Sequence, residues 1–249
     1  IWNRHEQKWF MFYTNRRANL TNSAGVEWVH GTHIGIAESA DGGRTWHSVG
    51  PLEPGVFRSD PVLTFGPTGQ FNYSSLSSNG GFTVDVFTST NQGASWGYPV
   101  YAYGGDKQWI TTDRTSSVGR NKIYQTWNAV YGCCGQNNFT RSTNQGASFS
   151  LPVAVPSNPI WGTMDVAPDG TLYLAGVNPS NSGQILVAKS TTVRETAYLP
   201  YFDFVQPLSL GGFVRAGVPQ GPNPVGLLGQ IWVAADPTDG PRAGWVYVL

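Results

Sequence analysis

The chain has 249 residues, with 15 basic and 15 acidic side chains and no formal net charge. That balance gives no electrostatic reason to expect nucleic acid or an anionic membrane as a partner, and no apolar run is long enough to cross a bilayer. Glycine (31 residues), proline (17) and aromatics (13%) are abundant and charge is sparse (12%), the profile of a β-rich chain with many tight turns.

In chain order, "KWFMFYTN" and "THIGIAES" read as strands, joined through the octapeptide "SADGGRTW" (Ser39 to Trp46) to "TWHSVG". "DPVLTFGPTGQFNYSSL" reads as strand, turn, strand. "FTVDVFTST" follows, then "STNQGASW" (Ser89 to Trp96) and "SWGYPVYAY". "KQWITTDRTSSVGRNKIYQTWN" repeats the strand–turn–strand pattern before "NNFTRST", "STNQGASF" (Ser142 to Phe149) and "SFSLPVAV". "GTMDVAPDGTLYLAGV" begins the next unit. There "STTVRETA", from Ser190, keeps the octapeptide spacing but lacks its glycine and aromatic, and a long insert, "YLPYFDFVQPLSLGGFVRAGVPQGPNP", follows. "GQIWVAADPTDGPRAGWVYVL" supplies two last strands.

The three octapeptides share the pattern Ser-x-Asp/Asn-x-Gly-x-Ser/Thr-Trp/Phe, and their closing aromatics are 50 and 53 residues apart. Ser39, Ser89 and Ser142, with Asp41, Asn91 and Asn144, suit side-chain hydrogen bonds to a turn backbone. Gly43, Gly93 and Gly146 supply the positive φ that a tight hairpin often requires. Trp46, Trp96 and Phe149 are expected to bury large rings against a neighbouring sheet. Four strands per repeat of this length define a β-propeller blade. The expectation is all-β: one β-propeller domain over residues 1–249. Its blades run approximately over 1–56, 57–104, 105–157, 158–225 and an incomplete 226–249. The first blade reads as lacking its innermost strand. The chain, which begins at Ile1 without methionine or a signal peptide, reads as a mature form or as part of a longer ring.

On these octapeptides the chain resembles the sialidase-like (neuraminidase) superfamily of Asp-box β-propellers, most clearly from Phe57 onward. Asn91 and Asn144 stand where Asp is usual. The first segment, "WNRHEQKWFMFYTNRR…VEWVHGTHIGIAESADGG", looks more like five-bladed β-fructosidase and arabinanase-type hydrolases. The resemblance implies a six-bladed ring with the box on its outer, non-catalytic side. It further implies a site in which three arginines hold a substrate carboxylate, an Asp acts as acid/base, and a Tyr paired with a Glu is the nucleophile. The arginine motif of such enzymes, Phe/Tyr-Arg-Ile-Pro, has its nearest counterpart in Phe57-Arg58-Ser59-Asp60-Pro61, with one extra residue and no Ile. Arg58 is carried over as a carboxylate binder and Asp60 as the acid/base. No Tyr–Glu pair is assigned by motif.

In a propeller, ligands gather where the entry ends of the innermost strands converge. The polar groups there are Arg58, Asp60, Asp106 and Lys107, with Arg4 and the loop residues His30 and His33 from the first blade and Gln230 from the last. Asp60-Pro61 could equally be a strand start, and Asp106-Lys107 a local ion pair. His30 and His33 are read as sharing a strand face. No Cys or third His joins them, and no metal or cofactor is expected. Trp109, Trp127 and Trp161 could stack on sugar rings or pack between blades. Asp113, Asp169 and Asp236 read as turn formers.

The only cysteines, Cys133 and Cys134, are adjacent, so they are either free thiols or a vicinal disulfide. Sequons at Asn19, Asn72 and Asn138 lean toward secretion. The expected function is a secreted exo-glycosidase releasing terminal acidic sugars from glycans. The alternatives are a non-catalytic carbohydrate-binding propeller and a protein-interaction propeller.

Overall fold

A computed structural model describes residues 2–3, 8–15, 20–21, 27–28, 33–78, 81–214 and 230–249. Nearly all regular structure in them is β. The first sheet holds β1 (Trp2–Asn3), β2 (Lys8–Asn15), β5 (His33–Ser39) and β6 (His47–Pro51) in the order β1-β2-β5-β6. A small hairpin of β3 (Leu20–Thr21) and β4 (Glu27–Trp28) lies between β2 and β5 in sequence. The second sheet holds β7 (Ser59–Phe65), β8 (Phe71–Ser77), β9 (Thr83–Ser89) and β10 (Val100–Tyr101). The third holds β11 (Trp109–Thr112), β12 (Ile123–Thr126), β13 (Asn137–Ser142) and β14 (Val153–Ala154). The fourth holds β15 (Ile160–Val166), β16 (Leu172–Asn178), β17 (Asn181–Ser190) and β18 (Phe204–Leu208). A fifth, two-stranded sheet pairs β19 (Val233–Ala235) with β20 (Val246–Val248). Every pairing is antiparallel, and apart from β2 with β5, which the β3–β4 hairpin separates, joins consecutive strands; each four-stranded sheet is a meander of the kind that builds propellers.

The first strands of successive sheets lie side by side: β7 beside β11, β11 beside β15, β15 beside β19. Apolar residues fill the gaps between sheets. Val86 and Ala102 meet Ile110 and Ile123 between the second and third. Tyr124 and Phe139 meet Met164, Leu172 and Leu174 between the third and fourth. Ala175, Val177 and Ile185 meet Ile231 and Val233 at the fifth. One sheet's buried face thus needs the next sheet's, which is why repeats stack rather than fold alone.

The octapeptides form one turn three times. The serine hydroxyl accepts from the glycine N–H, at 2.9 Å (Gly43), 2.8 Å (Gly93) and 2.8 Å (Gly146), and donates to Asp41, Asn91 or Asn144. That side chain then accepts the N–H of Thr45, Ser95 or Ser148. Asp and Asn differ in one bond. The Thr45 hydroxyl donates to Asp41 at 2.6 Å, whereas Asn91 and Asn144 donate their amides to the Ser95 and Ser148 hydroxyls at 2.8 Å. The glycines have φ of 88°, 94° and 89°. Trp96 and Phe149 pack on neighbouring apolar clusters. Trp46 does not follow the expectation: it is 41% exposed, its indole N–H donating to the Gly43 carbonyl.

Three further expectations are corrected. The first sheet does have a strand inside "KWFMFYTN", the two-residue β1, in which Trp2 pairs with Trp9. The long insert supplies the outer strand β18 of the fourth sheet, joined to β17 through pairs such as Ala188 with Val205. Asn72 and Asn138 are fully buried, so neither sequon offers an accessible amide. Asn138 donates to the Trp127 carbonyl and accepts from the Val155 N–H; Asn19 lies outside the described residues. No helix among the described residues is long and apolar enough to cross a membrane.

Candidate functional site

The inner strands begin with the same irregularity. Asp60, Lys107 and Trp161 have φ of 47°, 54° and 55°, a left-handed conformation that non-glycine residues seldom adopt. Each stands two residues ahead of Val62, Trp109 or Thr163, which pair with Ser74, Thr126 and Ala175 of the second strands. In β7 and β15 the register slips at that point, so one extra residue bulges from the ladder. Such conformations cost about 1–3 kcal/mol each and cluster at functional sites.

The bulges gather side chains of adjacent sheets. Lys107 Nζ lies 3.2 Å from Asp60 Oδ2 and 3.6 Å from Asp106 Oδ1. The Lys107 N–H also points to Asp60 Oδ2, at 3.3 Å, and the Ser59 hydroxyl donates to Asp60 Oδ1 at 3.0 Å. Gln108, buried, donates its side-chain amide to the Asp60 carbonyl. Burial pushes the Asp106 carboxyl up, with the nearby Asp60 charge adding to the rise and Lys107 opposing it. Burial acts to lower Lys107, but the attraction of Asp60 and Asp106 outweighs it, and the ammonium is held above its ordinary value.

A clasp behind Asp106 fixes its backbone. Gly105 bridges to Gly132, the Asp106 N–H donates to the Tyr131 carbonyl at 2.7 Å, and the Asn128 N–H donates to the Asp106 carbonyl at 3.0 Å. The Cys133 N–H donates to the Gly104 carbonyl at 3.0 Å, and Cys133 and Cys134 are joined as a vicinal disulfide. Gly105 and Gly132 allow this approach: a Cβ on either would come within 2.8 Å of the Trp127 ring.

Aromatic side chains stand at the starts of the next inner strands. Trp161 is half-buried, and its carbonyl accepts the Ile231 N–H at 3.0 Å. Trp109 and Trp232 meet edge-on at 5.1 Å although β15 lies between their strands, and Trp232 is half-exposed. Gln230 donates to the Gly162 carbonyl at 3.2 Å.

Of the residues singled out in the sequence, the structure brings together Asp60, Asp106 and Lys107. It withdraws Arg58. That guanidinium is buried and held by the chain's own acids, with Nε and Nη2 donating to Glu53 at 2.8 and 2.7 Å and Nη1 to Asp85 at 2.6 Å, over the Phe87 ring. Its carboxylate partners are therefore internal. Trp127 is also withdrawn: at 2% exposed it packs behind the clasp and cannot stack on a ligand. His33 opens β5, but His30 and Arg4 lie outside the described residues. His30 and His33 are three positions apart, a spacing that sets two residues of one strand on opposite faces, so it gives no support to the shared-face expectation. Asp113, Asp169 and Asp236 each accept from a threonine two residues on, as turn formers do. Sequence reasoning missed Gln108 and Trp232; the echo of "KQW" in "GQIW" was the available signal.

No protein-family model and no curated protein matches the sequence. In fold, the chain is similar to a protein of unknown function from Dyadobacter fermentans: TM-score 0.51, 16% identity, covering 84% of this chain and 67% of that one. A leech intramolecular trans-sialidase gives a TM-score of 0.45 at 14% identity, over 72% of this chain and 30% of that one. A GH43 β-xylosidase/α-arabinofuranosidase from a compost microbial metagenome gives 0.44 at 14% identity, over 80% and 74%. At these identities the likeness is one of fold.

Proposed function

We propose that the sheets are blades of a propeller and that the Asp60–Lys107–Asp106 cluster is the site of a secreted glycoside hydrolase acting on neutral terminal sugars. One observation carries the reading. Two carboxylates from adjacent inner strands converge on a single ammonium, and one of them, Asp106, has its proton affinity raised by burial and by the other's charge. Pairs of acids whose environments push them apart are the pattern of acid/base assignment. Asp106 is then the proton donor to the leaving glycosidic oxygen, and Asp60, paired with Lys107, is the second carboxylate that two-group glycoside hydrolysis requires. Trp161 and Trp232 offer apolar faces for a sugar ring. The preference for neutral sugars follows from Arg58: with its guanidinium spent on Glu53 and Asp85, Lys107 is the cluster's cation, and two internal carboxylates already share it.

One observation favours a second reading. Lys107 sits within 3.6 Å of both acids, where it offsets the charge a reaction would use; a carbohydrate-binding propeller without turnover would tolerate that. A panel of fluorogenic neutral glycosides and sialosides, run on wild type and Asp60→Asn, separates the two. Hydrolysis of a neutral glycoside, cut by orders of magnitude in the variant, supports the enzyme. Sugar binding without turnover supports the binding module. Turnover of sialosides alone would overturn the neutral-sugar assignment.

A further inference from the structure

The inner strands have a second end. Where β11, β15 and β19 finish, opposite the acid–lysine cluster, the structure holds a cavity of about 240 Å³ lined by Thr112, Arg114, Ser116, Asp165, Pro168 and Asp239, among others. This is far more than the ~10–15 Å³ that one water needs.

Some lining groups are already committed. Asp165 accepts the N–H of Val166 at 2.9 Å and of Ala235 at 2.8 Å. Others are not. The Arg114 guanidinium lies 4.6 Å from the Phe65 ring centre and forms no ion pair among the described residues. Asp239, on the same cavity and exposed, forms none either among the described residues.

We propose that this cavity binds a small zwitterion of the α-amino acid class, its carboxylate toward Arg114 and its ammonium toward Asp239. A plain anion would face the Asp165 and Asp239 carboxylates. A plain cation would face Arg114. A molecule carrying both charges answers both uncommitted groups. A planar guanidinium also suits a carboxylate in two parallel bonds. This site is independent of the acid–lysine cluster.

Titration calorimetry on the full chain tests it, with the proteinogenic α-amino acids added singly and acetate and methylammonium as half-ligands. At least one amino acid should bind with Kd below about 1 mM, and either half-ligand at least about tenfold more weakly. Arg114→Ala and Asp239→Asn, both at exposed positions where folding is not at risk, should each weaken binding about tenfold or more. No binding of any amino acid at about 10 mM would mean a solvent-filled cavity and overturn the proposal. So would acetate binding as tightly as the amino acid, or affinity unchanged in the Arg114 and Asp239 variants.

Discussion

Replacing Arg58 by methionine distinguishes a structural arginine from a substrate-binding one. The variant keeps an unbranched side chain but removes the guanidinium that lies over Phe87 and its three charge-assisted bonds, to Glu53 and Asp85 at 2.6–2.8 Å. Breaking a buried pair costs about 3–5 kcal/mol when the partner charge is left buried. Here the arginine side chain is 5% exposed but Glu53 and Asp85 are 28% and 22% exposed. Water partly rescues the abandoned carboxylates, and the cost falls to about 1–3 kcal/mol. For a chain of this size each kcal/mol moves Tm by about 2–4 °C, so the Tm followed by circular dichroism should drop by about 2–12 °C. Adding Glu53→Gln and Asp85→Asn should recover most of that loss, because the stranded charges disappear. Affinity for a bound sugar should change little. A variant that unfolds with wild-type Tm but has lost its ligand would refute the internal assignment and return Arg58 to the site.

The octapeptide glycines share one φ but differ in surroundings. Alanine at Gly43 meets only the Trp46 ring at 3.7 Å, whereas at Gly146 its Cβ would lie 2.7 Å from the Thr88 hydroxyl. Chemical denaturation should therefore show about 1–2 kcal/mol lost in Gly43→Ala from the left-handed backbone alone, and distinctly more in Gly146→Ala. The Thr45 hydroxyl and N–H and the Ser39 hydroxyl hold the Asp41 carboxyl down at about 2. A depressed folded value means that its contribution is complete above the ordinary 3.8 and lost as pH falls through about 2. Asp41→Asn, which copies the other two turns, should flatten acid unfolding over that window, and an unchanged acid limb would contradict this. Reducing the Cys133–Cys134 bond with a dithiol should speed amide exchange at Asp106 and Cys133 without global unfolding. A bond between chain neighbours closes almost no loop in the unfolded state, so it adds little to global stability. A large fall in Tm would contradict it.

The strands and the repeated turns were legible because both are local. Alternation marks a strand, and a Ser-x-Asp/Asn-x-Gly string carries its own hydrogen-bond partners. The pairing of Asp60 with Lys107 was not legible, because it depends on two non-glycine residues in the left-handed conformation, which no propensity announces. Arg58 misled for a related reason: Asp85, which holds it, lies 27 residues away on the third strand of the same sheet. Trp127 could be read as a sugar platform until Gly105 and Gly132 were seen pressed against its ring. Asn72 and Asn138 match a surface motif, yet they sit on strands whose burial only the packing of successive sheets decides.

The most direct measurement is the pH dependence of glycoside hydrolysis by wild type beside Asp106→Asn. On the present account a neutral glycoside is cleaved, the rate falls as pH rises through the raised value of the Asp106 carboxyl, and the variant loses about 10²–10⁴-fold. Turnover that survives in Asp106→Asn with an unchanged pH profile, or none on any glycoside, would contradict it.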